Sequence, residues 1–494
     1  MGLIAKQTIK GSIYSYLGAF IGFVNVALLM PQIFSSAEIG LTNLLIALSS
    51  IVGQFGCFGF TNVIVRFFPY FRDPEHKHNG FPFLLVAVGI FGSLICTAGY
   101  FGARDYLVTQ NIEKSKLFAD YVFLLLPLIY ITIFYLLSDV YNRMFYNSSF
   151  GLFVKEFLLR ILNLIGIGLF YFGVLDFNGF IIYYVAAYGV PTVLLLILLI
   201  VQGNMSMKPS KKLLTREFVR AMCSVAFFGV ISSFSGVFVN QIDRYFINHY
   251  CDLGATGIYS IAFYFGSMIL LPGRSIIRIS STVITESFKS GDNDMVQKVY
   301  RKCTTNMLII GVLLFVLVWG NIDNILRILP DEYADGRLVI LFIAISHLIQ
   351  MAASVSGEII QYSRYYRYHT LIMLMLIGLI FGFNVWLLPI YGITGAAVAS
   401  MLSFLVYSVV RIAFVKLKFG FQPFCVKHLA VILFGAVAYI LAWLIPEIGN
   451  LIVDLALRSA VICIVFIVSA LYFNLSDDMT VMYQRIIDKV FRRK

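Results

Sequence analysis

The sequence predicts an all-α polytopic membrane protein of about 14 transmembrane helices, built as two parallel six-helix lobes with two further helices at the C-terminus. Three observations predict it. Hydrophobic residues fill 60% of 494 positions and charged residues 13%, with a mean hydropathy of +0.89, which excludes an ordinary soluble protein. Apolar segments of roughly 20 residues, the length that crosses about 30 Å of hydrocarbon, recur along the whole chain. A repeat relates its two halves.

The apolar segments fall near 9–33, 40–65, 80–101, 118–142, 151–173, 178–202, 217–249, 254–284, 303–322, 336–361, 368–390, 394–416, 424–445 and 450–473. The first follows Lys6 and Lys10 but lacks the small-residue cleavage pattern of a signal peptide, so it reads as a retained span. An even number puts both termini on one side. If that side is the cytoplasm, 30 of the 37 Lys and Arg residues sit at cytoplasmic ends, and seven (Arg104, Lys114, Lys116, Arg244, Arg327, Arg337 and Arg458) do not. Such a bias sets the orientation. It also accounts for the net charge of +12, so nucleic acid is not an expected partner.

The longest polar stretches are 203–216, 285–302 and the tail 474–494. They divide the chain into an N-terminal lobe (1–202), a cytoplasmic linker (203–216), a C-terminal lobe (217–418), two additional spans (419–473) and a basic cytoplasmic tail (474–494). In the tail, Tyr483, Ile486, Ile487 and Val490 lie near helical spacing among basic residues, as on a helix resting on an anionic membrane surface.

Phe34 to Asn43 aligns with Cys251 to Ser260 at an offset of 217, which sets Gly40 on Gly257. Tyr171-Phe-Gly-Val174 aligns with Tyr391-Gly-Ile393 at an offset of 219. Six spans lie within that offset, so the repeat is parallel, the layout of transporters that hold substrate between two lobes.

Polar residues on apolar helices need partners or water. Tyr14, Gly18, Asn25 and Gln32 share one face of the first span, and Asn43, Ser50, Gln54 and Thr61 one face of the second, with Asn62 and Arg66 continuing toward the cytoplasm. Arg274 and Arg278 lie four apart after Pro272-Gly273, an expected kink. The amides either bond between helices or line a cavity. The arginines either snorkel to the interface or hold a phosphate group, which guanidinium forks suit. Arg66, Arg274, Arg278, Asn25, Gln54 and Asn62 are therefore the candidate substrate-binding set. His347, Gln350, Ser354 and Glu358 form a polar stripe on the tenth span, with His347 and Glu358 as candidates for proton coupling or simple hydrogen bonding. Asp243 and Arg244 are adjacent on the seventh span, so their side chains diverge, and they are candidates for gating or for tying that helix to its neighbours.

Some chemistry is excluded. The seven cysteines are scattered without metal or disulfide spacing, and the histidine pair in Asp73-Pro-Glu-His-Lys-His-Asn79 lacks a third ligand and reads as a solvated turn. No metal or cofactor is expected. There is no G-x-x-x-x-G-K-[ST] loop to bind ATP and no large loop with paired carboxylates, so an enzyme is not expected.

Gln241-Ile-Asp-Arg-Tyr-Phe-Ile-Asn248 with Gly254-Ala-Thr-Gly-Ile-Tyr-Ser260, Phe34-Ser-Ser-Ala-Glu-Ile-Gly40 with Phe58-Gly-Phe-Thr-Asn-Val-Ile-Val-Arg66, and Pro389-Ile-Tyr-Gly-Ile-Thr-Gly-Ala-Ala-Val-Ala-Ser400 resemble segments of the Wzx-type O-antigen flippases of the MATE-like (MOP) superfamily. The resemblance implies movement of an undecaprenyl-pyrophosphate-linked oligosaccharide across the bacterial cytoplasmic membrane for surface polysaccharide such as lipopolysaccharide O-antigen. It also implies a cationic central cavity, and it places the chain beside a polysaccharide polymerase and chain-length machinery. A cation-coupled drug exporter of the same superfamily and a membrane glycan-modifying enzyme are the alternatives. Within this frame, residues 240–260 read as the outer hinge or gate of the second lobe, and phosphate contact falls to Arg66, Arg274 and Arg278.

Overall fold

The computed structural model describes residues 3–73, 75–111, 114–145, 147–205, 215–476 and 478–481, and among these the chain is helical with no strand. In hydrocarbon a helix satisfies its backbone donors and acceptors within one segment, which is why so apolar a chain adopts little else. Among the described residues, twelve helices are long and apolar enough to cross a membrane. The expected fourteen segments map onto them with two differences. The unbroken assignment Tyr366–Phe419 holds two segments. Residues 148–171 are helical but carry Lys155, Glu156 and Arg160, which sets them apart from the apolar twelve.

Residue proximity groups the chain into two compact units, Met1–Ser260 and Ile261–Lys494, a division that does not follow the polar stretch 203–216. Residues 206–214 of that stretch, and the tail positions Tyr483, Ile486, Ile487 and Val490, lie outside the described residues.

In the first unit, α1 (Leu3–Phe23) passes through a π-turn at Val24–Leu29 into Met30–Ile33. A capping box starts α2 (Ser36–Gly56): the Glu38 amide donates to Ser35 Oγ, and the Ser35 amide donates to the Glu38 carboxylate at 2.9 Å. α2 stops there because Phe58 (φ 45°) and Gly59 (φ 67°) are both left-handed, and α3 (Phe60–Phe71) begins a new helix. The longer helices that follow are α4 (Phe81–Asn111), α5 (Leu125–Arg143), α6 (Leu159–Tyr171), α7 (Phe177–Val201) and α8 (Arg216–Tyr250). Their shared core is aromatic. Phe81 packs on Phe60, Phe68 and Phe71 at ring-centroid distances of 5.8, 5.3 and 5.0 Å. α8 lies against α2 and α3 and adds Met222 to this core.

The division between units falls within α9 (Leu253–Ser267). A 3₁₀ turn at Met268–Leu270 separates α9 from α10 (Leu271–Ser290), so the interruption expected at Pro272-Gly273 lies just before it. α11 (Asn293–Gly320), α12 (Arg337–Ala353) and α13 (Ser356–Tyr362) follow, then α14 (Tyr366–Phe419), α15 (Val426–Trp443) and α16 (Leu451–Tyr472). α14 reverses at Gly392 (φ 55°, ψ −140°). Beyond the reversal its arms run side by side, with the Tyr407 hydroxyl 3.3 Å from Met373 Sδ.

α15 and α16 pack on α11 through Val312, Val316, Ala438, Ile462 and Phe466. A polar pin fastens α16. Asp454, 1% exposed, accepts from Asn324 Nδ2, from Arg458 Nε at 2.7 Å and from the Ile448 amide at 3.2 Å. Arg458 in turn donates to the Ala442 and Ile445 carbonyls. Arg458, one of the seven arginines and lysines outside the positive-inside pattern, is thus a paired charge inside a bundle.

Candidate functional site

The expected polar face of the second span is broken by the turn at residues 57–59. Seven residues separate Gln54 from Thr61, but only a continuous helix would put them on one face, and Thr61, Asn62 and Arg66 belong to α3 rather than α2. Gln54 is buried in α2. Asn62 Nδ2 donates to Ser233 Oγ at 3.0 Å, tying α3 to α8. Arg66 is exposed, its guanidinium 6.0 Å from the Phe67 ring centroid. Asn25 lies elsewhere, buried in the π-turn and donating to the Arg160 carbonyl at 2.7 Å. A π-turn loosens the backbone ladder by one residue, and an amide at that point joins two helices.

The tenth-span stripe is also divided. Ser354 has φ 46° and ψ −133°, a conformation that costs an L-residue on the order of 1–3 kcal/mol, and it ends α12. His347 and Gln350 stay on α12, with Gln350 Nε2 3.0 Å from His347 Nδ1. The buried His347 ring meets Phe263 edge-on at 5.9 Å and lies within electrostatic range of Arg274. Glu358 sits on α13, so the four residues do not form one stripe.

Sequence reasoning does not single out Arg411, which counts there only among the cytoplasmic-end charges. Arg411 Nη2 donates to the Ser354 carbonyl at 3.3 Å, its guanidinium lies 4.9 Å from the Tyr407 ring centroid, and its charge acts on Glu358. A carbonyl freed by a broken helix and a nearby carboxylate thus share one cation. Lys155 counts in the same way. Its ammonium sits 4.5 Å from the Tyr135 ring centroid. In both cases the signal is present, since each residue lies inside or beside an apolar segment, but counting charges by loop hides it.

Arg274 and Arg278 are exposed on α10, one turn apart. Among the described residues neither they nor Arg66 form an ion pair within 4 Å, unlike Arg143, Arg327, Arg337 and Arg458.

Asp243 and Arg244 diverge around α8. Asp243, 3% exposed, accepts from the Tyr259 hydroxyl at 2.7 Å. Arg244 Nη1 donates to Gln241 Oε1 at 2.9 Å and to the Asn240 carbonyl at 3.0 Å. Asn248 Nδ2 donates to Asn111 Oδ1, and Ser115 Oγ donates to Asn248 Oδ1, both at 2.7 Å. The end of α8 is therefore clamped by buried polar bonds.

Beside that clamp, α2 and α9 approach at the two glycines that the repeat aligns. A Cβ on Gly40 would lie 1.9 Å from the Leu253 carbonyl oxygen, and one on Gly257 would lie 1.9 Å from the Ser36 carbonyl oxygen. Leu253 follows Ser36, and Gly257 follows Gly40, by the same 217 positions as the repeat. Each segment thus makes to the other the contact it receives, the signature of a local two-fold.

The loop at 73–79 is more than a solvated turn. His76 pairs with Asp73 at 2.7 Å in solvent, but His78 is buried, with Nε2 3.1 Å from Asn204 Oδ1 and its ring against Phe68 and Phe145. Lys77, His78 and Asn79 all have left-handed φ, which folds the imidazole inward. The Asp73 carboxyl is held below its ordinary value by hydrogen bonds from the His76 amide and ring.

A chain of such apolar helices, interrupted beside polar side chains, is a multi-pass membrane protein with a transporter-type fold. The fold is shared with solved transporters. A structure described as lipid II flippase MurJ in an inward closed conformation matches with a TM-score of 0.75 at 14% identity, covering 94% of this chain and 98% of that one. An inward-facing multidrug resistance MATE family transporter of the MOP superfamily matches with a TM-score of 0.61 at 13% identity, covering 82% and 94%. A point mutant of the Vibrio cholerae MATE transporter VcmN matches with a TM-score of 0.57 at 13% identity, covering 85% and 99%. No curated relative is matched. The chain belongs to the polysaccharide biosynthesis protein family, whose model matches residues 4–284, more than half of its length.

Proposed function

We propose that the chain is a flippase, not an enzyme, that carries a polyprenyl-pyrophosphate-linked oligosaccharide from the inner to the outer leaflet of the bacterial cytoplasmic membrane by alternating access. The observation that carries this reading is the family match over residues 4–284. The fold shared with a lipid II flippase supports the class of cargo. The exposed arginines outside any ion pair support its phosphate end: Arg66, Arg274 and Arg278 keep free forks for pyrophosphate oxygens, and each charge-assisted bond of that kind is worth about 1.5–3 kcal/mol.

In this mechanism two repeat-related six-helix lobes, 1–202 and 217–418, rock about a fixed axis. Both termini lie in the cytoplasm, and residues 240–260 form the outer hinge. The close α2–α9 approach through Gly40 and Gly257 suits a pivot, because small residues let backbones turn on one another without interlocking side chains. Surface polysaccharide assembly, O-antigen included, is the setting, with the polymerase and chain-length machinery as downstream partners.

Two measurements test the proposal. Deletion of the gene is expected to trap lipid-linked repeat units in the cytoplasmic leaflet; gain of drug sensitivity with intact glycan would instead mark a drug exporter, and glycan of altered composition would mark an enzyme. Charge reversal of Arg66, Arg274 and Arg278 together is expected to abolish surface polysaccharide at normal protein abundance. Unchanged polysaccharide would remove the arginines from the pathway.

A further inference from the structure

A second cationic feature of the second unit includes neither Arg274 nor Arg278. A cavity of about 430 Å³ opens where α11, the start of α15 and residues 475–476 converge. Lys298, Arg301, Lys302 and Lys427 line it, together with Asp294. The cations are spaced by the fold. Lys298 and Lys302 are one turn apart on α11 with Arg301 between them, and Lys427 opens α15.

Neutral partners hold Arg301 and Lys427 in place without consuming their charge, and Lys298 is exposed. Lys302 is the exception, paired with Asp478 at 2.7 Å. Arg301 donates through Nε to the Gln422 carbonyl at 3.0 Å, an anchor that leaves the end of the fork outside that bond. Lys427 Nζ donates to the Asn474 carbonyl at 2.8 Å, a neutral partner. Asn306 and Ser476 bond to each other across the floor, Ser476 Oγ donating to Asn306 Oδ1 at 2.6 Å. Asn306 Nδ2 donates to Asp478 at 2.8 Å, so the four cations face two carboxylates, Asp294 and Asp478, and the cavity keeps a net positive surface.

Its position sets the ligand class. All the lining cations belong to chain ends that the charge bias assigns to the cytoplasm. Beside Lys427, Val426 is 88% exposed at the start of α15, so a headgroup held by Lys427 would have apolar surface next to it; Leu429, Ile432 and Leu433 are exposed on the opposite face of that helix. Basic pockets between membrane helices on the cytoplasmic side suit phosphate headgroups. We infer that this cavity binds the phosphate headgroup of an anionic phospholipid. The site is independent of the flippase reading, because its readout is lipid binding rather than transport.

The test uses the full-length protein, with dioleoylphosphatidylglycerol titrated in and bound lipid counted by native mass spectrometry. Lys298→Gln with Lys427→Gln is expected to weaken that binding about thirty-fold, since each cation near the surface contributes about five-fold. Lys298→Arg with Lys427→Arg is expected to retain it. Arg364→Gln with Arg367→Gln, exposed cations outside the cavity, is expected to change it by no more than about two-fold. Dioleoylphosphatidylcholine is expected to bind without discriminating among these variants. The unfolding temperature of each variant separates lost binding from lost fold. Equal phosphatidylglycerol binding by the glutamine pair and the parent would overturn the inference. So would an equal loss in the Arg364/Arg367 pair, or inorganic phosphate displacing the lipid at equimolar concentration, which would make the ligand a free anion.

Discussion

Placing a methyl group at the α2–α9 crossing is the sharpest test of the repeat. In Gly40→Ala the new Cβ begins 1.9 Å from the Leu253 carbonyl oxygen, and in Gly257→Ala it begins 1.9 Å from the Ser36 carbonyl oxygen. Both obstacles are backbone, so no side chain can rotate away. Carbon–oxygen contacts settle at about 3.3 Å or more, so the helices must part by about 1.4 Å at this point. Overpacking of this kind costs about 1–3 kcal/mol. One separation relieves both clashes, because the crossing is reciprocal. The double variant is therefore expected to cost about as much as either single, giving a coupling of about 1–3 kcal/mol where independent sites would show none. Gly378→Ala is the control: nothing lies within 4 Å of its Cβ, and a helical alanine there is expected to be neutral or to stabilise by up to about 1 kcal/mol. Reversible unfolding in mixed micelles reads the energies, and surface polysaccharide reads the transport loss. Single variants within about 0.5 kcal/mol of the parent, or a double variant equal to the sum of the singles, would refute the local two-fold.

Ser354→Gly is expected to raise thermal stability by as much as about 2 kcal/mol, since relief of a strain of about 1–3 kcal/mol exceeds the added chain entropy of about 0.5–1 kcal/mol; Ser354→Ala, which keeps the strain, should not. Asp454→Ala leaves Arg458 buried without its carboxylate and is expected to cost about 3–5 kcal/mol, read as a lower unfolding temperature and lower abundance. At the chain end, burial raises the Asp478 carboxyl, but hydrogen bonds from Lys302 and Asn306 outweigh it and hold the group below its ordinary value. A depressed carboxylate stabilises at pH above its unfolded value of 3.8 and loses that contribution only as pH falls further. Hydrogen-exchange protection of residues 474–476 is thus expected to hold down to about pH 4 and to fall by up to about five-fold below it, while Asp478→Asn shows the lowered value at pH 7.

The helical crossings and the family are legible because both rest on long stretches: apolar length reports the span, and the paired Gly40 and Gly257 report the repeat. The candidate site is legible only as a set of residue types. Counting residues assigns Gln54 to Thr61 and His347 to Glu358 to single faces, a rule that holds only while φ and ψ stay helical. Ser354 violates it where the residue type does not favour left-handed backbone, so no propensity announces that break, whereas Phe58 violates it beside Gly59, whose residue type does favour it. Arg411 and Lys155 escape for a different reason. Charge counting by loop treats every cation near an end as solvated, whereas these two are held by Ser354, Tyr407 and Tyr135.

The breaks also decide how a polar residue in this protein should be read. Non-helical backbone at membrane depth needs partners for the groups it frees, so a cation beside a break has a structural task before it has a functional one. Arg411 meets that description, since it takes the carbonyl of Ser354. The amides Asn62, bonded to Ser233, and Asn25, bonded to the Arg160 carbonyl, likewise have structural tasks, tying helices together. Arg66, Arg274 and Arg278 do not: they are exposed, and among the described residues they form no ion pair. Holding unpaired guanidinium groups within an otherwise apolar chain is costly unless water or an anion meets them. That cost is what separates these three arginines from the other polar candidates, and it is why the charge-reversal experiment should act on transport while leaving the fold intact.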